Sequence, residues 1–360
     1  MYRYINANIM PITEKEILLG EAETPVPEFP GVSLFCKCRE AYYYVAQNAP
    51  VKEKRVLLPA YTCETCISPF RQAGWEFAFY PLDKHLRIKP AEFRSLLQQF
   101  RPGVVVAELL YGMDMNETDL SLLAEAKKAG CFIMEDQTHG VFSEENSDIF
   151  DAYTGSIRKW FFMPDGGYLR SEKLPPLPAD TDEDLVARDH YLCSQQVFKY
   201  LIETGDRRLA KVYRQLEKDA KLGPIIVHRM SDFSKRIYTE VDKKSNSSQR
   251  LENARCLYEN LSDCKNLTPV WSSLEDMTTA PLWVPFYAAD RKRFQAECSR
   301  PNRIAVPGLW GVETPEVLVD ADTEYIYAHT VCFPCAQYLS TQDMMQIVDA
   351  VKAWDKSYQA

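Results

Sequence analysis

The sequence predicts an α/β fold. A large domain with a mostly parallel central sheet spans residues 1–224, and a smaller C-terminal α+β domain spans 225–360. Three observations predict it. Strand-like and helix-like stretches alternate from about residue 31 onward. The strand-like stretches are continuously apolar, as in strands covered on both faces. Beyond about residue 250 the pattern changes to a helix, two strand-like segments and a final helix, read as part of a smaller α+β unit.

Arg55-Val56-Leu57-Leu58-Pro59-Ala60 reads as a short buried strand stopped by its proline, and Cys66 to Gly74 as a helix ended by glycine. Glu76 to Leu82 is the next strand. Phe93, Leu96, Leu97 and Phe100 recur at helical spacing and mark one face of a helix over 91–101. The apolar strand Val104 to Leu110 is broken only by Glu108. An amphipathic helix over 117–129 stops at Gly130, and Cys131-Phe132-Ile133-Met134 forms a strand with Glu135-Asp136 at its carboxyl end. Ligands of such sheets bind beyond the carboxyl ends of the strands, where Asp136 falls.

The proline-rich acidic run over 174–184 reads as a loop, followed by helices over about 185–203 and 206–221. Lys243 to Ser248 either interrupts the next helix or lies on a solvated face. A helix from Arg250 to Asn260, strands near 281–287 and 303–306, and a final amphipathic helix over 341–354 complete the chain. No motif places residues 171–225 in a functional role.

Composition excludes several classes of function. Of 360 residues 46% are hydrophobic and 26% charged, ordinary values for a globular protein. Asp and Glu number 51 against 42 Lys and Arg, so the net charge of −9 disfavours nucleic acid or an anionic membrane as partner. No apolar run approaches the ~20 residues that span a bilayer. The first 20 residues lack a basic segment followed by an apolar one, so a cytoplasmic protein is expected. Eleven cysteines include the pairs Cys63/Cys66 and Cys332/Cys335, which zinc or a thiol-redox role could use; reduced thiols serving as small hydrophobes are the expected state. The five histidines show no metal-ligand spacing, and no metal is expected.

Phosphate-cradling glycine motifs are absent. Three features remain: Glu135-Asp136-Gln137-Thr138-His139 after a strand, Thr154-Gly155-Ser156-Ile157-Arg158-Lys159-Trp160, and the tight turn Pro164-Asp165-Gly166-Gly167. Each has an ordinary reading alone, as a helix cap, a surface lysine and a turn.

In this order they resemble the DegT/DnrJ/EryC1/StrS family of fold-type I aminotransferases. Leu58-Pro59-Ala60-Tyr61-Thr62, Ala73-Gly74, Leu110-Tyr111-Gly112, Asn253-Ala254-Arg255 and Cys335-Ala336-Gln337-Tyr338 extend the resemblance. It is continuous over about 31–170 and patchier beyond. It implies pyridoxal 5'-phosphate as cofactor, a homodimer with sites between two subunits, and small-molecule substrates: an amino-acid donor and a carbonyl acceptor, by family default a nucleotide-linked keto sugar.

The resemblance also implies roles. Lys159 corresponds to the lysine that forms the Schiff base with the cofactor and shuttles a proton. Asp136 corresponds to the carboxylate on the pyridine nitrogen, which makes the ring an electron sink. His139 matches the residue packed near the ring. Thr154 and Ser156 match the phosphate-side hydroxyls, and Cys38 and Arg39 open the helix whose amides face the phosphate. Cys63 stands where the family carries an aromatic that stacks on the ring, leaving Tyr61 as a candidate cover. Tyr111 and Arg229 are candidates for substrate contact. In Ile225-Ile226-Val227-His228-Arg229-Met230 the position of the family's intersubunit asparagine is Val227. These departures keep a second class open, a non-catalytic or regulatory relative that binds the cofactor.

Overall fold

The computed structural model describes residues 13–26, 28–143, 148–204, 207–219, 223–273 and 279–358. The first twelve residues of the N-terminal segment considered above lie outside them. Seven strands form the main sheet: β1 (Ser33–Phe35), β2 (Arg55–Pro59), β3 (Glu76–Tyr80), β4 (Val104–Glu108), β5 (Phe132–Asp136), β6 (Ala152–Gly155) and β7 (Gly167–Arg170), in the order β1-β7-β6-β5-β4-β2-β3. The strands β2 to β6 are mutually parallel, and β7 followed by β1 extends one edge through antiparallel pairings. The fold is therefore the mixed α/β architecture the sequence predicts. Val104, Val105 and Val106 in β4 are fully buried, which explains why that strand reads as a continuous apolar run.

The helices α1 (Glu14–Gly20), α2 (Cys38–Asn48), α3 (Glu64–Gln72), α4 (Pro90–Phe100) and α5 (Glu117–Lys128) belong to this half. Helix α5 starts where the Asn116 side chain accepts from the Asp119 amide, and its last turn carries Lys127 and Lys128, which complement the helix dipole. The chain leaves β2 outward to β3, then crosses back over β2 to β4 and continues through β5 to β6. The direction of winding thus reverses between β2 and β4, and a crevice opens there beyond the carboxyl ends.

Next come α6 (Leu185–Thr204), α7 (Arg207–Asp219), α8 (Asp232–Thr239) and α9 (Lys243–Leu261). A second, antiparallel sheet of β8 (Leu267–Pro269), β9 (Trp283–Ala288) and β10 (Thr330–Pro334) is joined by α10 (Arg291–Phe294), α11 (Ala321–His329) and α12 (Thr341–Ser357). Met344, Ile347, Val348 and Val351 line the buried face of α12, as their spacing predicts.

Two expectations need correction. The helix expected from Arg250 begins at Lys243, because the Asp242 carboxylate accepts from the Ser245 amide and caps it there. Residues 243–248 are its first turns, with Lys243, Lys244, Ser245 and Ser248 exposed and Asn246 and Ser247 half-buried. Residues 303–306 form no strand: Ile304 makes only an isolated bridge, and Arg303 has φ 58°. Among the described residues no helix is long and apolar enough to cross a membrane.

One close approach fixes the start of α2 against the sheet. A Cβ on Gly167 in β7 would lie 2.5 Å from the Cys38 nitrogen. Gly167→Ala is therefore expected to destabilise the fold by ~1–3 kcal/mol through overpacking, read as a lower midpoint of denaturant unfolding. An unchanged midpoint would show that α2 is not held this way.

Candidate active site

The carboxyl ends of β2, β4, β5 and β6 open on one cavity, whose empty space with the open solvent at its mouth is about 810 Å³. Strand β5 delivers Asp136, which is almost fully buried. Its Oδ2 accepts from the Tyr42 hydroxyl of α2 at 2.6 Å, and its Oδ1 from the Thr138 amide at 2.6 Å. The carboxylate is thereby fixed in one orientation from a helix and from its own following turn.

Lys159 ends a short turn, Ile157–Lys159, that follows β6. The next residue anchors that turn. The Trp160 ring is fully buried, its Nε1–H donates to the Thr138 carbonyl at 2.8 Å, and its own carbonyl accepts from Gln337 at 2.6 Å. The Arg250 guanidinium lies over the same ring, 4.5 Å from its centroid. The second half of the chain therefore holds the Lys159 backbone in place. The half-buried Lys159 amine makes no hydrogen bond or ion pair among the described residues, although it lines the cavity with Asp136 and Glu108. A lysine side chain without a direct partner in such a cavity is open to a reagent that enters.

His139 lies on the same wall. Its Nδ1 accepts from the Tyr111 amide at 3.3 Å, so the neutral ring carries its proton on Nε2. Burial, reinforced by the Lys159 charge, pulls its pKa well below the usual range. Trp310 stacks on the ring at 5.4 Å and 19°, and Trp283 meets its edge.

Cys38 opens α2. Its Sγ lies 3.6 Å from the Thr154 hydroxyl and 3.8 Å from that of Thr138, and burial, with the Asp136 charge second, pushes the thiol up to about 12. It is an inert packing group at neutral pH. Lys37, Cys38 and Arg39 at the start of α2 line the cavity; the Glu40 amide donates to the Lys37 carbonyl at 3.0 Å, and the amides before it precede the helix's own hydrogen-bond ladder. The Ser156 hydroxyl also lines the cavity and has no hydrogen-bond partner among the described residues.

The cavity thus gathers Lys159, Asp136, His139, Ser156, Cys38, Arg39 and Cys63. Thr154 sits behind Cys38, its hydroxyl committed to the Tyr168 carbonyl at 2.6 Å. Tyr61 and Tyr111 are buried behind the wall, hydroxyl to hydroxyl at 2.7 Å, with Tyr61 packed on Trp310 at 4.8 Å. Neither tyrosine ring lines the cavity. Arg229 lies apart from it, paired with Glu183 at 2.8 Å and with Asp232. The two CxxC pairs stay separate, at the start of α3 and in and just after β10, and all eleven cysteines are free. Among the described residues no group of three or more His, Cys, Asp and Glu side chains could hold a metal.

Sequence reasoning gave no role to Glu108, Lys37, Tyr191 or Trp310, all of which line the cavity. Glu108 had a signal, as the lone acid of an apolar strand. Lys37 pairs with Asp184 at 3.3 Å, and Tyr191 lies under the Arg158 guanidinium at 4.4 Å; these contacts join distant parts of the chain that no local pattern relates. Trp310 sits in a stretch without regular structure.

No protein-family model matches the chain, and no curated protein matches its sequence. Solved structures do match its fold. The Helicobacter pylori aminotransferase PseC, involved in the biosynthesis of pseudoaminic acid, superposes with a TM-score of 0.68 at 12% identity, over 99% of this chain and 100% of that one. NtdA from Bacillus subtilis, solved with the bound cofactor PMP, gives 0.67 at 11% identity over 99% and 87%. A DegT DnrJ EryC1 StrS aminotransferase from Brucella abortus gives 0.60 at 13% identity over 90% and 86%. At these identities the likeness establishes a shared fold, and it spans both sheets.

Proposed function

We propose that this chain is an aminotransferase that uses pyridoxal 5'-phosphate and moves an amino group from an amino-acid donor to a carbonyl acceptor. The observation that carries the reading is the Lys159 amine, without a hydrogen bond or ion pair among the described residues, in one cavity with the fixed carboxylate of Asp136. The fold shared with PseC and NtdA supports it.

The residues fit the cofactor. Asp136 offers an anion for a ring nitrogen, while Ser156 and the first amides of α2 offer donors for a phosphate. The Gly167 approach described above keeps those amides seated on the sheet. When bound, pyridoxal phosphate supplies an aldehyde that captures amines and a ring that takes up electron density.

The protein's groups do the rest. With the cofactor bound, Lys159 as a neutral amine would act as the nucleophile and, once freed, would carry a proton from the substrate carbon to the carbon of the cofactor's aldehyde group. Asp136 holds positive charge at the ring nitrogen through the reaction, and Tyr42 and Thr138 hold Asp136. Neutral His139 keeps the wall beside the ring dry and uncharged. Lys37, Arg39 and Arg158 at the cavity, with Tyr191 and Trp310, suit an anionic acceptor that carries a ring. That supports the nucleotide-linked keto sugar as acceptor class; PseC is involved in pseudoaminic acid biosynthesis, and another fold neighbour, CalS13 from Micromonospora echinospora, is a sugar aminotransferase. We read the active form as a homodimer, in which Arg229 meets substrate from the partner subunit.

The test is the first half of the reaction. Protein loaded with pyridoxal phosphate and given a panel of L-amino acids, glutamate included, should convert one of them to its keto acid in an amount matching the protein. A loaded protein that converts none of them would favour the non-catalytic reading, which Cys63 in place of a stacking aromatic supports.

A further inference from the structure

Glu108 has no part in the roles above, yet it lines the same cavity. It pairs in register with Asp136 across the parallel strands β4 and β5. Paired residues on neighbouring strands leave the sheet on the same face, their backbones ~4.8 Å apart. Two carboxyl groups therefore end side by side at the crevice floor.

Their surroundings differ. Asp136 receives the Tyr42 hydroxyl, the Thr138 amide and, at 3.9 Å, the Cys66 thiol. Such a set of donors serves an anion. Glu108 receives the Thr62 hydroxyl on Oε1 and shares the Cys66 thiol with Asp136, but it receives no backbone amide and no tyrosine hydroxyl among the described residues. Thr62 is held in turn by α11, since its amide donates to the Tyr327 hydroxyl at 3.2 Å. The groups facing Glu108 are Asp136 from β5, Cys66 from α3, Tyr42 from α2, Tyr80 from β3, Tyr327 from α11 and Lys159 from the turn after β6. Lys159 is the one cation among them.

Resting on the functional reading above, we propose that Glu108 is a positioning residue that bears the proton of the Glu108–Asp136 pair and releases it to solvent when the cationic ring nitrogen of pyridoxal phosphate docks on Asp136. Two adjacent carboxylates in a confined site repel, so one of them stays protonated until a positive charge arrives. Burial, and after it the Asp136 charge, accordingly pushes Glu108 up to about 8. The sign follows. The folded chain holds this proton more tightly than the unfolded one, so its stabilising contribution is full below the unfolded value near 4.5 and is lost as pH rises through about 8.

Glu108→Gln keeps the shape and is neutral at every pH. Without cofactor, the wild-type unfolding midpoint is expected to fall relative to Glu108→Gln by several degrees between pH 5.5 and 8.5. With cofactor, calorimetry in buffers of different ionisation heat at pH 7 should count about one more proton released by the wild type. Its affinity for pyridoxal phosphate should also rise relative to the variant's, by about tenfold per pH unit between pH 6 and 7.5. Equal proton counts and parallel pH profiles would overturn the role of Glu108 while leaving the cofactor in place. A wild type that takes up no pyridoxal phosphate would instead overturn the functional reading and this inference with it. If Glu108→Gln does not fold, Thr62→Val removes the hydroxyl that favours the ionised form, so the cofactor-free pH profile should move upward; an unmoved profile contradicts the proposal.

Discussion

Lys159→Ala is expected to leave a folded protein that forms no borohydride-stable adduct with pyridoxal phosphate and transfers amino groups roughly 1,000- to 10,000-fold more slowly. The size follows from what is lost, a cavity amine that makes no hydrogen bond or ion pair among the described residues, and with it the group that moves the proton. The fold should survive because the turn is held by Trp160, through Thr138 and Gln337, and the Lys159 side chain makes no hydrogen bond or ion pair among the described residues. Alanine there buries no unpaired group and opens no core cavity, so the unfolding midpoint should stay within about 0.5 kcal/mol of the wild type. Activity within tenfold of the wild type would mean that another amine does the work.

Asp136→Asn is expected to separate electrostatics from shape. The amide oxygen can still accept from the Thr138 amide, and the Tyr42 hydroxyl can turn to accept from the new NH₂ group. Stability should therefore fall by only about 1 kcal/mol. The negative charge that holds a proton on the ring nitrogen disappears, and turnover should drop roughly 100- to 1,000-fold, in kcat rather than in KM. Absorbance titration with pyridoxal phosphate alongside initial rates gives both numbers. A variant that binds and turns over like the wild type would remove Asp136 from the mechanism.

The sequence made the parallel strands and their helices legible because burial on both faces leaves long apolar runs and helical faces repeat every three to four residues. Val104 to Val106 and the Phe93 to Phe100 face are of this kind. The strands β1, β6 and β7 went unread, since three or four residues are too few to show a period. Asp136 was visible as an acid at a strand end, and Lys159 only through the resemblance to a family. Glu108 was visible as an oddity, but its meaning depends on the register of β4 with β5, a tertiary fact that no local pattern encodes. The same holds for Arg229, whose ion pair with Glu183 joins segments far apart in the chain. The helix at Lys243 was misjudged at its start because a polar run looks like a loop until the Asp242 cap is seen.

The central claim is that Lys159 is the covalent anchor of pyridoxal phosphate. The most direct measurement is an absorbance spectrum of the purified protein with added pyridoxal phosphate, taken before and after borohydride reduction and followed by peptide mapping. The account expects a visible band that vanishes on reduction and a stable adduct on Lys159 alone. An adduct on another lysine, or none at saturating cofactor, would contradict it.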